Sequence, residues 1–231
     1  MRRHIPNTIT CCNLLSGCVA ATYAFEGVYT IAFVCIILGA VFDFFDGLTA
    51  RALKVSSPIG KELDSLADVV TFGFAPATMV FSWLRECADA HLHMLPAFAM
   101  PFLAFLLVAF SALRLAKFNV DERQTSSFIG LPTPANALFW GSLVIGSHDK
   151  VVAAPYGWML IVALVLLFSW LLVAEIPMFS LKFKSLAWAP NRIAYIFLLV
   201  SLVLLIFLGL NGLSAVIGWY IVLSVLTQKR A

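Results

Sequence analysis

The sequence predicts an all-α, polytopic membrane protein. Of its 231 residues, 62% are hydrophobic and only 12% are charged. The mean hydropathy of +0.98 is far above that of soluble domains. Several apolar stretches are also long enough to cross about 30 Å of hydrocarbon. We therefore expect a single integral membrane domain over residues 1–231, with about eight transmembrane helices.

Eight apolar windows account for these predicted helices. In chain order they cover residues 8–25, 29–49, 63–84, 95–117, 132–147, 155–175, 192–210 and 213–227. The fifth and the last windows are short for a crossing. The start of the chain has the basic residues and apolar run of a signal peptide, but Thr8, Thr10 and Asn13 within that run favour a first membrane span.

The Lys and Arg residues predict how these helices are oriented. With eight spans both termini share one side of the membrane, and of the 15 Lys and Arg residues only Arg85 and Lys150 fall on the other side. Because basic residues of short loops collect in the cytoplasm, both termini and the segments 50–62, 117–131 and 176–191 are predicted to be cytoplasmic. The chain carries no eukaryotic targeting signal, which favours the plasma membrane of a bacterium or archaeon.

Four aspartates at the cytoplasmic ends of spans two and three form the candidate site. Asp43 and Asp46 are three residues apart, and Asp64 and Asp68 are four apart, so each pair lies on one face of a helix. The segment 56–60 contains two serines, a proline and a glycine, which break the helix and bring the pairs face to face. Four carboxylates beside a bilayer require cations, and oxygen ligands alone suit Mg²⁺ or Mn²⁺.

The aspartates belong to a longer pattern. Its eight fixed positions over 26 residues are Asp43, Asp46, Gly47, Ala50, Arg51, Gly60, Asp64 and Asp68. This pattern resembles the signature of the CDP-alcohol phosphotransferases, membrane enzymes that move a phosphatidyl or similar group from a cytidine diphosphate donor to an alcohol. The resemblance implies that Asp43, Asp46 and Asp64 bind metal. It also implies that Asp68 lies near the metals as the catalytic base, and that the chain forms a homodimer, as family members often do.

The residues around the aspartates suit a bound nucleotide. Two Mg²⁺ or Mn²⁺ ions would neutralise and orient a pyrophosphate, and Arg51 would add a fixed cation. Gly47 and Ala50 are small enough for a nucleotide to lie against the helix backbone. The predicted donor-binding residues are Gly47, Ala50, Arg51, Gly60, Asn7 and Thr10. For the two residues of the first span, ordinary hydrogen bonding between helices is the alternative.

Two segments outside the signature indicate the acceptor. Residues 5–17 and 111–136 look like the corresponding segments of family members that use L-serine. The resemblance implies direct attack of the serine hydroxyl on CDP-diacylglycerol, with release of CMP. Arg114 and Lys117 would hold the serine carboxylate, and Asn119 would add hydrogen bonds. Anchoring to lipid headgroups, or a grip on the donor phosphates, is the alternative for the two basic residues.

Two other functions remain as alternatives. A phosphatidylglycerophosphate synthase of the same family has an anionic acceptor that Arg114 also suits. A cation transporter would place carboxylates near the bilayer midplane and carry interrupted helices in two repeated halves, and the sequence shows neither feature. Nucleic acid is not an expected partner, because the basic residues form no continuous patch interleaved with aromatic residues.

Overall fold

The computed structural model describes residues 4–55, 57–91, 98–121, 128–178 and 188–227. These ranges are almost entirely helical, which confirms the all-α prediction. Some residues on which the predicted orientation depends lie outside them, namely Arg2, Arg3, Arg123, Lys182, Lys184, Lys229 and Arg230. Ser56, in the predicted break between the aspartate pairs, also lies outside them.

The helices follow the predicted windows closely. The α-helices of the described ranges are α1 (His4–Phe25), α2 (Tyr29–Leu53), α3 (Pro58–Asp68), α4 (Ala75–His91), α5 (Leu106–Val120), α6 (Thr133–Ala153), α7 (Gly157–Val173), α8 (Trp188–Leu208) and α9 (Gly212–Thr227). A π-helix, Val69–Phe74, joins α3 to α4, and 3-10 helices at Met100–Phe105 and Gly209–Asn211 precede α5 and α9. Strand β1 (Phe128–Ile129) pairs antiparallel with β2 (Pro177–Met178). The fifth window, predicted to be short, continues to Ala153.

Several of these helices are suited to a membrane. The stretches long and apolar enough to cross one are His4–Phe25, Tyr29–Leu53, Pro58–His91, Met100–Val120 and Asn191–Thr227, and Gly157–Val173 is a shorter apolar helix. Large apolar side chains also lie on the outer surface, including Phe44 at 61% exposure and Phe207 at 81%. A soluble monomer rarely exposes so much apolar surface. The structure is therefore that of a helical membrane protein.

Close packing of α1, α2 and the π-helix positions the aspartate-bearing segments. On α1, Ala20 and Ala24 are fully buried. A Cβ atom added to Gly17 would lie 2.5 Å from Thr71 Oγ1, and one added to Gly39 of α2 would lie 2.4 Å from Thr71 Cγ2. Only glycine leaves room for Thr71 at both positions. The π-helix therefore sits directly against α1 and α2, with Thr71 about one turn beyond Asp68.

A polar network ties α2, α4 and α6 at their ends far from the aspartates. The Tyr29 hydroxyl donates a hydrogen bond to Glu86 Oε1, and His148 Nε2 lies 2.9 Å from Glu86 Oε2. The other ring nitrogen of His148 lies 2.8 Å from Asp149 Oδ1. Tyr29 is the first residue of α2, whereas Asp43 and Asp46 lie near its other end. The two ends of the helix bundle thus carry different polar groups.

We expect Gly17→Ala to destabilise the protein, because its Cβ atom would also meet the Thr71 backbone, with Cα at 2.7 Å. The loss in unfolding free energy should be about 1 to 3 kcal/mol, as for overpacked cores. Thermal unfolding in detergent, followed by circular dichroism, measures it. Gly218→Ala on α9 is the matched control, since a Cβ atom there would meet no neighbouring atom within 4 Å among the described residues. Equal unfolding temperatures for the two variants would contradict the packing argument.

Candidate active site

A short connection between α2 and α3 brings the two aspartate pairs together. Helix α2 ends where Lys54 adopts a left-handed conformation with φ of 52°. Ser57 caps the start of α3, since its hydroxyl accepts a hydrogen bond from the Gly60 N–H at 3.0 Å, and Pro58 is the first residue of the helix. A side-chain cap followed by proline is a strong helix start. Helix α3 thus follows α2 after a few residues, and both helices pack against α1.

Three carboxylates meet at this reversal. Asp43, Asp64 and Asp68 each place an oxygen within 4.8 Å of the others. Asp68 is only 8% exposed, and the other two are partly buried. Asp64 Oδ1 is buried and has no hydrogen-bond partner in the described part of the chain. Clustered carboxylate oxygens with an unused buried acceptor match the ligand preference of Mg²⁺ and Mn²⁺.

Asp46 lies beside this cluster rather than within it. Its side chain is buried, and its Oδ2 accepts a hydrogen bond of 2.6 Å from the Thr10 hydroxyl on α1. Asp46 and Asp64 line the same cavity. The predicted set of four ligands is thus gathered in one region, with three tightly grouped oxygens and a fourth carboxylate held by α1.

The cavity next to the aspartates has a volume of about 210 Å³. Its lining consists of Pro6, Asn7, Thr10, Asp46, Gly47, Ala50, Val55, Ser57, Gly60, Lys61 and Asp64. Five of the six residues predicted to bind the donor are among them. Arg51 instead lines an adjoining, shallower cavity with Gly47, Ala50, Lys54 and Val55, and its guanidinium lies over Gly47.

Helix α1 contributes a polar strip to the site. Asn7 faces Gly60, where an added Cβ atom would be 3.1 Å from Asn7 Oδ1. Thr10 contacts Asp46, and Asn13 Nδ2 lies 3.3 Å from Asp68 Oδ1. These three residues recur at intervals of three, the spacing of neighbours on a helix surface. The contact between Asn13 and Asp68 was not predicted, although this spacing indicates the face of α1 that forms it.

The structure separates the three predicted acceptor residues. Arg114 is 7% exposed, and its Nη1 donates a hydrogen bond to Thr133 Oγ1 at 3.4 Å. Arg114 and Lys117 line a second cavity of about 320 Å³ between the ends of α5 and α7. Asn119 points elsewhere, because its amide donates to the Ser65 hydroxyl at 2.8 Å.

Lys61 is a residue of the site that was not predicted from the sequence. Its side chain lines the cavity beside the aspartates, and its Nζ donates to the carbonyl oxygen of Asn119 at 3.0 Å. Lys61 precedes Asp64 by three residues and so shares its helix face. That spacing was the available signal. With the bond from Asn119 to Ser65, this contact joins α3 to the end of α5.

Comparison with known proteins decides the family. The model of the family described as CDP-alcohol phosphatidyltransferase matches residues 3–228. The chain belongs to the CDP-alcohol phosphatidyltransferase family. This confirms the resemblance that the signature predicted. CDP-alcohol phosphatidyltransferases generally depend on divalent metal ions, in agreement with the acidic cluster of Asp43, Asp64 and Asp68.

Curated relatives of the family are similar over much of the chain. A CDP-diacylglycerol–serine O-phosphatidyltransferase of Helicobacter pylori (strain ATCC 700392 / 26695) is 28% identical over 223 residues, which are 96% of this chain and 89% of the relative. One of Bacillus subtilis (strain 168) is 35% identical over 136 residues, covering 57% and 70%. An archaetidylserine synthase of Methanothermobacter thermautotrophicus is 30% identical over 154 residues, covering 65% and 62%.

We expect Asp64→Asn to weaken binding of divalent metal, because the neutral amide removes one negative ligand from the cluster. Bound metal stabilises the folded state, so Mn²⁺ should raise the unfolding temperature of the wild type. The Mn²⁺ concentration that gives half of this rise in unfolding temperature should be at least about 10-fold higher for the variant than for the wild type. Glu62→Gln is the matched control, since it removes an exposed carboxylate of the same helix outside the cluster. The same Mn²⁺ dependence in both variants would contradict the metal assignment.

Proposed function

We propose that this protein transfers the phosphatidyl group of CDP-diacylglycerol to the hydroxyl of L-serine, giving phosphatidylserine and CMP. The observation that supports it most is the meeting of Asp43, Asp64 and Asp68 beside a cavity that the small residues of the family signature line. The names of the relatives support serine as the acceptor, and one of these relatives aligns with 96% of the chain. They agree with the acceptor predicted from residues 5–17 and 111–136.

The residues of the cluster fit a pair of divalent cations. Asp43, Asp46 and Asp64 would hold two Mg²⁺ or Mn²⁺ ions, with Asp68 next to them. The ions would supply charge neutralisation of the donor pyrophosphate and of the charge that develops on the leaving phosphate. The buried, unpartnered Oδ1 of Asp64 supports this assignment, because a buried carboxylate oxygen without a hydrogen bond is costly unless a ligand completes it.

The neighbouring cavity would hold the nucleotide of the donor. Asn7, Thr10 and Gly60 line one wall, and Gly47 and Ala50 expose the backbone of α2 on the other. In this proposal Arg51, which lines the adjoining cavity, contacts a phosphate of the donor with its guanidinium. The acyl chains of the donor would extend from this region into the membrane.

Asp68 is the proposed general base. It would take the proton of the serine hydroxyl as the hydroxyl oxygen attacks the phosphorus that bears diacylglycerol. The bond from this phosphorus to the oxygen of CMP then breaks, and CMP leaves with the electron pair. This direct displacement needs no covalent enzyme intermediate. The buried position of Asp68 favours the role, since the attacking hydroxyl is kept from competing water.

Arg114 and Lys117 are proposed to bind the serine carboxylate from the second cavity. The Nε of Arg114 is buried and has no hydrogen-bond partner within the described ranges, so a donor remains for a ligand. Asn119 is the third proposed residue. Its bonds to α3 suggest that it contributes by fixing the end of α5 beside the acceptor.

We further propose that the chain forms a single membrane domain of eight crossings, with α3, the π-helix and α4 as one of them. The enzyme would be a homodimer in the plasma membrane, with both termini and the active site facing the cytoplasm. The positions of described basic residues support the orientation. Arg51, Lys54 and Lys61 lie at the aspartate end, whereas Arg85 and Lys150 lie towards the opposite ends of α4 and α6.

We expect the purified protein to release CMP from CDP-diacylglycerol with L-serine as acceptor. A panel of serine, glycerol 3-phosphate and inositol, with CMP release and labelled lipid as readouts, tests the acceptor. Serine should be preferred by a factor of at least about 10⁴ in kcat/KM, because a polar site left unpaired by the wrong acceptor is strongly penalised. Turnover of glycerol 3-phosphate with serine ignored would identify a phosphatidylglycerophosphate synthase instead.

We expect Arg114→Gln to raise the KM for serine more than the KM for CDP-diacylglycerol. Loss of a charge-assisted bond to a carboxylate should raise the KM for serine about 10- to 100-fold. Steady-state kinetics with each substrate varied in turn measures both constants. A selective rise in the KM for CDP-diacylglycerol would show that Arg114 grips the donor phosphates. Arg192→Gln is the control, as this exposed arginine of α8 lines neither cavity.

A further inference from the structure

Asn13 is the polar residue of α1 that touches the proposed base. Its side chain is fully buried, and its Nδ2 lies 3.3 Å from Oδ1 of Asp68. A carboxylate can only accept hydrogen bonds, so the amide nitrogen and not the amide oxygen must face Asp68. One oxygen of Asp68 is therefore occupied by α1, and the other remains for the reaction.

Asn13 is itself held in place on two sides. Its carbonyl oxygen accepts a hydrogen bond of 2.9 Å from the Thr71 hydroxyl of the π-helix. Its side-chain Oδ1 lies against Gly39 of α2, where an added Cβ atom would be 3.0 Å away. Thr71 is in turn enclosed by Gly17 and Gly39. The amide of Asn13 is thus fixed by packing from α2 and by a backbone bond from the π-helix.

The side-chain oxygen of Asn13 argues against a role in packing alone. Asn13 Oδ1 is buried without a hydrogen-bond partner in the part of the chain that the structure describes. A leucine of similar size would avoid the cost of this buried, unpaired oxygen. What the asparagine adds over leucine is a single contact, the donor that meets Asp68. The contact to Asp68 is therefore the one that explains the residue.

We propose that Asn13 is a positioning residue, which fixes the Asp68 carboxylate so that its second oxygen faces the acceptor hydroxyl. This inference depends on the proposed function, in which Asp68 is the base. A base must be held within hydrogen-bonding distance of the proton that it takes, and small misplacements of such a group are costly. The packed contacts to Thr71 and Gly39 make Asn13 rigid enough to set that position.

The test compares Asn13→Leu, which keeps the volume and removes the donor, with the wild type. At saturating Mn²⁺ and serine, kcat should fall about 10- to 100-fold, as for other residues that orient catalytic ligands. The KM for CDP-diacylglycerol should stay within about 3-fold, because the donor cavity is untouched. Without substrates, the Mn²⁺ concentration that gives half of the rise in unfolding temperature should stay within about 2-fold of the wild-type value, because Asp43, Asp46 and Asp64 are unchanged. A residue with a merely structural role would instead lower the unfolding temperature and leave the kcat of the folded protein unchanged.

A double-mutant cycle shows whether Asn13 acts through Asp68. In an Asp68→Asn background, adding Asn13→Leu should reduce the residual activity by no more than about 2-fold. Ser16→Ala is the matched control, since it removes a hydrogen bond of 2.7 Å from α1 to the Cys35 carbonyl oxygen. The kcat of the Ser16→Ala variant should equal that of the wild type.

Several outcomes would overturn the inference. A kcat of Asn13→Leu equal to that of the wild type would do so. A double variant whose loss of activity equals the product of the losses of the two single variants would do so as well. If the leucine variant does not fold, Asn13→Ala is held to the same criteria. A wild type that does not convert serine would instead refute the proposed function.

Discussion

Repulsion between carboxylates is the constraint on which this structure depends. Three aspartate oxygens from α2 and α3 lie within 4.8 Å of one another. At this separation each pair of charges costs on the order of 3 kcal/mol, even at an effective dielectric constant of about 20. The surrounding helices must therefore hold the carboxylates in place, and the cluster favours a bound cation over an empty state.

Helix α1 provides much of this support. Its polar residues contact both aspartate pairs, through Thr10 at Asp46 and Asn13 at Asp68. Its small residues allow α2 and the π-helix to approach closely, with Thr71 enclosed by Gly17 and Gly39. The same helix thus serves two purposes on one face. Hydrogen bonds act at the end near the site, and close packing begins one turn further along.

The sequence predicted the parts of the site that follow from helix periodicity. Spacings of three and four placed each aspartate pair on one face, and the Ser-Pro-Gly break placed the pairs together. Contacts between distant segments were beyond such reasoning. The bonds from Asn119 to Ser65 and from Lys61 to Asn119 join residues more than 50 positions apart. Their partners depend on how α3 and α5 pack, which neither propensity nor spacing reveals.

The fold was predicted more completely than the site, because hydropathy reports each long helix separately. The helical segments coincide with the apolar windows, and only their ends differ. The network of Tyr29, Glu86 and His148 was missed for the same reason as the contacts of Asn119. Each of its members is unremarkable within its own helix. Its significance appears only when α2, α4 and α6 are assembled.

The π-helix that follows Asp68 also affects how the chain tolerates insertions and deletions. The Ala75 N–H bonds to the Val70 carbonyl oxygen, five residues back, instead of the usual four. This turn therefore holds one residue more than a regular α-helical turn does. Removing one residue from Val69–Phe74 would therefore restore regular α-helical bonds and change the orientation of α3 relative to α4 little. Removing a second residue would rotate α3 by about 100° relative to α4. Asp64 and Asp68 would then turn away from Asp43, although every residue of the signature would still be present.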